Sequence, residues 1–250
     1  MAVVYRRRTD YNDVEVTREG DVVTLWSEGV RQTAISTGSP LPLIESSRNM
    51  LLALAFSPRP RRALILGLGG GSVVRMLLAA APDLVIDAVE IDPAMAAVAR
   101  RHFGLRPSSR LRLALGDATD FAMERTGEGE YGLVLVDPYL GDRFATGLTA
   151  DSALERLRGG LTPEGVLVMN FFSGQPHTTE PALHSLDQRF RSVFTLSGTE
   201  SRNILAFATK QPRSGEEVVA AAGEVGAGLP FSFDLARLAR RMADRRPRVG

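Results

Sequence analysis

The chain has 250 residues, enough for one large α/β domain with an appendage and a full apolar core, so folding requires neither metal nor disulfide. Its 30 Lys and Arg nearly balance 29 Asp and Glu, which removes any bulk electrostatic case for a nucleic-acid or membrane partner. The absence of cysteine excludes thiol nucleophiles, disulfides and thiolate zinc sites, and it accords with an expected cytoplasmic location.

The opening Met1-Ala2-Val3-Val4-Tyr5-Arg6 has no apolar run of signal-peptide length, and no later uncharged segment is long enough to span a membrane. Arginine gathers at both ends, as Arg6, Arg7 and Arg8 and as Arg237, Arg240, Arg241, Arg245, Arg246 and Arg248. A solvated helix face and tail is the preferred reading of these runs, ahead of an RNA or acidic-partner contact. Within residues 12–36, Val14 and Val16 alternate with polar neighbours, Glu19-Gly20-Asp21 makes a turn before Val22 to Trp26, and Val30 to Ser36 follows. This pattern predicts short antiparallel strands. Gly38 to Pro42 breaks it, an apolar helix is expected from Ile44 to Phe56, and Ser57-Pro58-Arg59-Pro60 marks a boundary.

From Ala63 onward, strand-like and helix-like segments alternate, as in a parallel sheet covered on both faces. Strands are expected at 63–67, 84–89, 111–115, 132–137 and 165–170, with helices at 72–80, 94–102, 118–125, 150–159 and 179–190. Ser192 to Leu196 and Asn203 to Thr209 form a hairpin, because Ser197 to Ser201 is too short to hold a crossover helix. Residues 213–250 carry helical patterns divided by a breaker from Gly223 to Pro230. The expectation is an α/β chain: a Rossmann-like, mostly parallel sheet with an antiparallel edge hairpin (43–210), a small N-terminal antiparallel β domain before it (1–42) and a helical, Arg-rich extension after it (211–250).

The residues with chemistry fall at the carboxyl ends of these strands, where ligands of open α/β sheets bind. Gly67, Gly69, Gly70 and Gly71 make a turn that can pass under a nucleoside and aim N–H groups at it, although close helix-on-strand packing also selects glycine. Glu90 ends the next strand about 20 residues beyond the turn, where a carboxylate accepts the two hydrogen bonds of a ribose diol. Asp92 shares that role or caps the helix beginning at Pro93. Asp117, with Ala118, is placed to read an adenine amino group or to cap the following helix. Asp137 ends the fourth strand, where a carboxylate can hold or deprotonate an amine, and the Tyr139 ring can wall the site; the competing reading is an Asp-Pro turn. His102, His177 and His184 are scattered, so no metal site is expected. Neither a nucleophile elbow nor a phosphate-binding loop is present.

This linear series, from the N-terminal strands through Val89-Glu90-Ile91-Asp92, Gly116-Asp117-Ala118, Asp137 and Leu161-Thr162-Pro163-Glu164-Gly165, resembles the spermidine synthase family and its methyltransferase-like relatives. The resemblance implies ribose binding by Glu90, adenine recognition around Asp117 and Ala118, amine activation by Asp137, and a nucleoside contact from Gln32. It further implies an S-adenosylmethionine or decarboxylated S-adenosylmethionine cofactor, a small-molecule or protein amine acceptor, and a homodimer. Aminopropyltransferases carry an Asp in the turn where this chain has Gly70, and a Tyr-His-Glu segment where it has Glu45-Ser46-Ser47. A turn carboxylate suits the ammonium of the decarboxylated cofactor and repels the carboxylate of the intact one, so Gly70 tilts the expectation to methyl transfer. Aminopropyl transfer and a catalytically silent binding module are the alternatives.

Overall fold

In the computed structural model, which describes residues 1–125, 127–137, 139–140, 143–144 and 146–245, the N-terminal alternation builds a four-stranded antiparallel sheet. Its strands are β1 (Ala2–Arg8), β2 (Asp13–Glu19), β3 (Val22–Ser27) and β4 (Val30–Ser36), neighbours in that order. One face buries Val14, Val16, Val23, Leu25 and Ile35 against Met95, Val98 and Phe103 of the larger body. β1 was not expected. Arg6, Arg7 and Arg8 lie on this edge strand rather than on a helix, and Arg6 pairs with Glu15 of β2, so cross-strand charge pairing offsets the poor strand propensity of the run.

The apolar stretch after Pro42 is not one helix. It forms α1 (Glu45–Asn49), a 3-10 turn at Met50–Leu52 and α2 (Ala53–Phe56), all lying in the core. The chain then alternates through β5 (Arg62–Leu66), α3 (Ser72–Ala80), β6 (Val85–Glu90), α4 (Pro93–His102), β7 (Leu111–Leu115), α5 (Ala118–Arg125) and β8 (Tyr131–Val136). A two-residue pairing of β9 (Tyr139–Leu140) with β10 (Arg143–Phe144) and a 3-10 turn at Thr146–Thr149 precede α6 (Asp151–Gly160). β11 (Leu161–Phe172), α7 (Pro176–Arg189), β12 (Ser192–Ser197), β13 (Asn203–Thr209), α8 (Gly215–Ala227), α9 (Leu235–Ala239) and β14 (Ala243–Asp244) complete the order.

The main sheet runs β14-β12-β13-β11-β8-β5-β6-β7, with β11, β8, β5, β6 and β7 parallel and the β11, β13, β12 and β14 pairings antiparallel. Successive residues of its central strands feed opposite faces: Ile65, Leu133 and Val168 join one core, Leu64, Val134 and Leu167 the other. Parallel strands buried on both faces explain the unbroken apolar runs. β11 starts earlier than expected, because Leu161 pairs with Tyr131 before a register shift to Val166.

The C-terminal segment also departs from expectation. α8 continues through Gly223 and Gly226, and the break begins only at Gly228. A capping box between Ser214 and Glu217 starts the helix, and buried Val218 and Ala222 hold it against Phe56, Phe194 and Phe207, which offsets the low helix propensity of the glycines. α9 adds Leu235, Leu238 and Ala239 to the same core, leaving Arg245 to pair with Asp187 at 3.0 Å. Arg246 and Arg248 lie outside the described residues. No helix among the described residues is long and apolar enough to cross a membrane.

One buried carboxylate links three distant pieces of chain. Glu45, at the start of α1, accepts hydrogen bonds from the backbone amides of Thr199 (2.9 Å), Glu200 (2.7 Å) and Ser201 (3.1 Å) in the β12–β13 turn, and from the Thr199 hydroxyl (2.8 Å). Arg241, just after α9, lies 3.8 Å away. Burial raises the proton affinity of Glu45, but the donors together outweigh it and bring its pKa down to about 2.

Candidate functional site

Sheet register assembles the site. Leu66 of β5 pairs with Val89 of β6 on one side and with Val136 of β8 on the other, and Val136 pairs with Met169 of β11. One residue further along each strand, Gly67, Glu90, Asp137 and Asn170 stand in a row along the carboxyl edge. Three of these four positions carry a polar side chain, and β11 alone continues past the row, through Phe171 and Phe172. A cavity opens above this row, lined by Gly67, Leu68, Gly69, Glu90, Asp117, Ala118 and Asp137 from the large sheet. Asn12 of the β1–β2 connection, Ser27, Gln32 and Thr33 of the N-terminal sheet, and Ser47 and Met50 of the segment after it close its other side.

Of the residues expected at the site, Gln32, Gly67, Gly69, Glu90, Asp117, Ala118 and Asp137 meet at this cavity. Gly70, Gly71 and Asp92 are not among its lining residues. The Tyr139 side chain, like Pro138 and Asp142, lies outside the described residues.

Glu90 is buried, with 8% of its surface exposed. Its Oε2 accepts the Leu68 amide at 3.2 Å and its Oε1 the Asp92 amide at 2.9 Å, and Gly69 supplies a further backbone contact. Burial raises its pKa against the lowering pull of these donors. Three backbone donors fix the carboxylate at the strand end.

The glycine turn is wired differently from the expectation of amides aimed at a ligand. The Leu68 amide is taken by Glu90, the Gly70 amide donates to Thr33 Oγ1 at 3.0 Å, and the Gly71 amide bonds to the Leu68 carbonyl at 2.9 Å. Gly70 is required sterically: a Cβ there would lie 2.7 Å from Thr33 Cγ2 and 2.9 Å from Thr33 Cβ. The β4 strand thus sits on the turn.

Asp92 takes the capping reading. Its Oδ1 accepts the Ala94 amide at 2.8 Å at the start of α4, and its Oδ2 accepts from Thr9 Oγ1 at 2.8 Å and Asn12 Nδ2 at 3.1 Å, fastening the N-terminal sheet to the body. Asp117 takes the capping reading, its Oδ1 accepting the Thr119 and Asp120 amides at 2.6 and 3.1 Å at the start of α5, and the residue also lines the cavity.

Asp137 follows β8 directly, its own amide bonded to the Leu66 carbonyl at 2.8 Å. Its Oδ1 accepts from Asn170 Nδ2 at 2.7 Å. Desolvation pushes its pKa up to about 7, and the Asn170 hydrogen bond opposes that rise. Asn170, Thr33, Asn12 and Ser47 were not anticipated from sequence. Asn170 did carry a sign: it is a lone polar residue inside an otherwise apolar strand run, between Met169 and Phe171.

No family model matches the chain. It is 36% identical to the polyamine aminopropyltransferase of Vibrio vulnificus over 148 residues, which is 59% of this chain and 48% of that protein. It is 32% identical to the polyamine aminopropyltransferase of Chromobacterium violaceum over 185 residues, 73% of this chain and 68% of that protein. The chain belongs to the spermidine synthase-like family. It is also 36% identical over 121 residues to the human eEF1A lysine and N-terminal methyltransferase, covering 44% of this chain and 17% of that much longer protein. It thus spans about half the length of the Vibrio relative.

Among solved structures, a probable spermidine synthase from Corynebacterium glutamicum superposes with a TM-score of 0.79 over 98% of this chain and 91% of that one, at 18% identity, which shows the shared fold. Human methyltransferase-like protein 13 in complex with SAH superposes with a TM-score of 0.67 over 76% of this chain and 96% of that one, at 25% identity. The spermidine synthase-like architecture therefore accounts for nearly the whole chain, N-terminal sheet included.

Proposed function

We propose that the chain is a transferase that uses an S-adenosyl sulfonium cofactor and moves a methyl group to an amine-type acceptor. The observation that carries the choice of methyl is the contact between Gly70 and Thr33. With Thr33 filling the space any side chain at position 70 would need, the turn has no room for the acid that would pair with the ammonium of a decarboxylated cofactor. The intact cofactor's carboxylate then meets no repelling group at that position.

The residues present suit such a cofactor. Glu90 would hold the ribose from a fixed backbone cradle, and Asp117 with Ala118 would meet the base beside it. A bound sulfonium would supply an electrophilic carbon for the acceptor nitrogen, with a neutral thioether as the leaving group. The protein's own task is then the proton. An amine is protonated at neutral pH and cannot attack until its nitrogen lone pair is free. Asp137, its pKa raised by burial to about 7, receives that proton at Oδ2, because Oδ1 is engaged by Asn170. Met50, Ile65 and Leu135 give the cavity wall beside it an apolar stretch.

Aminopropyl transfer from the decarboxylated cofactor is the second reading, favoured by the polyamine aminopropyltransferase relatives. Calorimetric titration separates the two. Methyl transfer requires binding of S-adenosylmethionine and its demethylated product, with the decarboxylated form at least tenfold weaker. Tight binding of the decarboxylated form alone would overturn it, and release of methylthioadenosine from that cofactor with a panel of amines would then establish the alternative.

A further inference from the structure

We propose that Asn170 and Asn203 form an amide relay that positions the Asp137 carboxylate and reserves its Oδ2 for the acceptor. The proposal rests on the reading of Asp137 as the group that takes the amine's proton.

The relay is built by antiparallel pairing. β11 and β13 place Asn170 opposite Leu205 and Phe172 opposite Asn203, so Asn203 is the diagonal neighbour of Asn170 on the same sheet. Asn203 Nδ2 donates to Asn170 Oδ1 at 3.0 Å, and Asn170 Nδ2 donates to Asp137 Oδ1 at 2.7 Å. The order of these bonds matters. A carboxamide has a donor end and an acceptor end, and a buried Asn beside a carboxylate could present either one. Asn203 engages the acceptor end of Asn170 and thereby turns its donor end toward Asp137. Asn170 itself is 4% exposed, so water does not substitute for either partner.

On Asp137, the consequence is an asymmetric carboxylate. Oδ1 is held at 2.7 Å, whereas Oδ2 receives no hydrogen bond from any described residue, and the residue faces the cavity. The other titratable groups lining that cavity are Glu90 at the end of β6 and Asp117 at the start of α5. Neither contributes to the shift of Asp137, which comes from burial and the Asn170 bond. The relay is anchored from behind: the turn leading into β13 is clamped at Thr199, Glu200 and Ser201 by Glu45, which sets where Asn203 begins its strand. Asn170 and Asn203 are positioning residues, acting through Asp137.

The test is a carbon-13 NMR titration of aspartate side-chain carboxyls in the full chain, with the Asp137 resonance assigned by its loss in Asp137→Asn. In the unsubstituted protein the Asp137 midpoint is expected near 7. Asn170→Ala removes a hydrogen bond to the charged form and raises that midpoint by about one to two pH units. Asn203→Ala, at a part-exposed position, releases the orientation of Asn170 and raises the midpoint in the same direction by a smaller amount, so the proposal stays testable if Asn170→Ala does not fold. A purely structural role would lower melting temperature without moving the midpoint. Unchanged midpoints in folded Asn203→Ala or Asn170→Ala protein overturn the relay. Calorimetric titration of the unsubstituted chain with S-adenosylmethionine and with its decarboxylated form is read separately. Binding of neither would remove the transferase reading, and the proposal with it, whatever the midpoints do.

Discussion

Glu90 and Asp137 stand at the same level on either side of β5, and they are held in contrasting ways. Glu90 is gripped by backbone amides of Leu68, Gly69 and Asp92, donors whose positions are dictated by the turn and the strand end. Asp137 is held by one side-chain amide, itself held by another. Backbone donors survive nearly any substitution, whereas side-chain donors change with a single one. On the proposed reading, the nucleoside end of the cavity is fixed by the fold, while the acceptor end is set by replaceable side chains. Such a division lets one scaffold keep a cofactor while its acceptor chemistry varies.

The contrast can be broken experimentally, beginning where the effect is greatest. Asp137→Asn should lower turnover by about 10²–10⁴-fold with cofactor affinity unchanged, read by single-turnover kinetics and calorimetry in parallel. Glu90→Ala should do the reverse, weakening cofactor binding about 10–100-fold while turnover at saturating cofactor stays close to normal. If both variants lost affinity and turnover together, the two ends would not be separable.

A pH series sharpens the acceptor side. Because Asp137 must be ionised to take a proton, kcat/KM should rise through a midpoint near 7 and fall about tenfold per unit below it. The stability effect has the opposite sign. Burial raises the folded pKa above the ordinary carboxylate value, so the native state holds this proton more tightly than the unfolded chain does. The stabilisation from this group is complete below about pH 4 and is lost as pH rises through about 7, a trend that thermal melts should show and Asp137→Asn should abolish.

Two smaller effects probe the turn and its neighbour. Gly70→Asp should destabilise the fold by about 1–3 kcal/mol through collision with Thr33, lowering Tm by about 2–4 °C per kcal/mol, and a paired Thr33→Gly change should restore part of the loss. Asp92→Ala should destabilise by at least about 0.5–2 kcal/mol, the cost of uncapping α4, with the lost acceptor of Thr9 and Asn12 adding to it. Calorimetry on this variant should find cofactor affinity nearly intact, since Asp92 is not a lining residue.

Residues that act through their own strand were legible in the sequence. The glycine turn, Glu90, Asp117 and Asp137 each end or follow an apolar run, and parallel α/β architecture sends such ends to one edge. What escaped depends on contacts between distant strands. Thr33 meets Gly70 across 37 positions and Asn170 meets Asp137 across 33, and no local pattern encodes either register. β1 was missed because Arg6, Arg7 and Arg8 read as solvated charge, when the strand is supported by Glu15 opposite. α8 was cut short because its glycines signal a break, when capping and burial carry the helix through them.

The Glu45 cage also has a kinetic meaning. Its hydrogen bonds span more than 150 positions of sequence, so the loop they close is among the longest in the fold. Contacts of that range form late, after the sheet has zipped from nearer pairings. Glu45→Gln should therefore leave the refolding rate almost unchanged and quicken unfolding. In this reading Glu45 is a latch set last, and it governs how long the native state lasts rather than how fast it is reached.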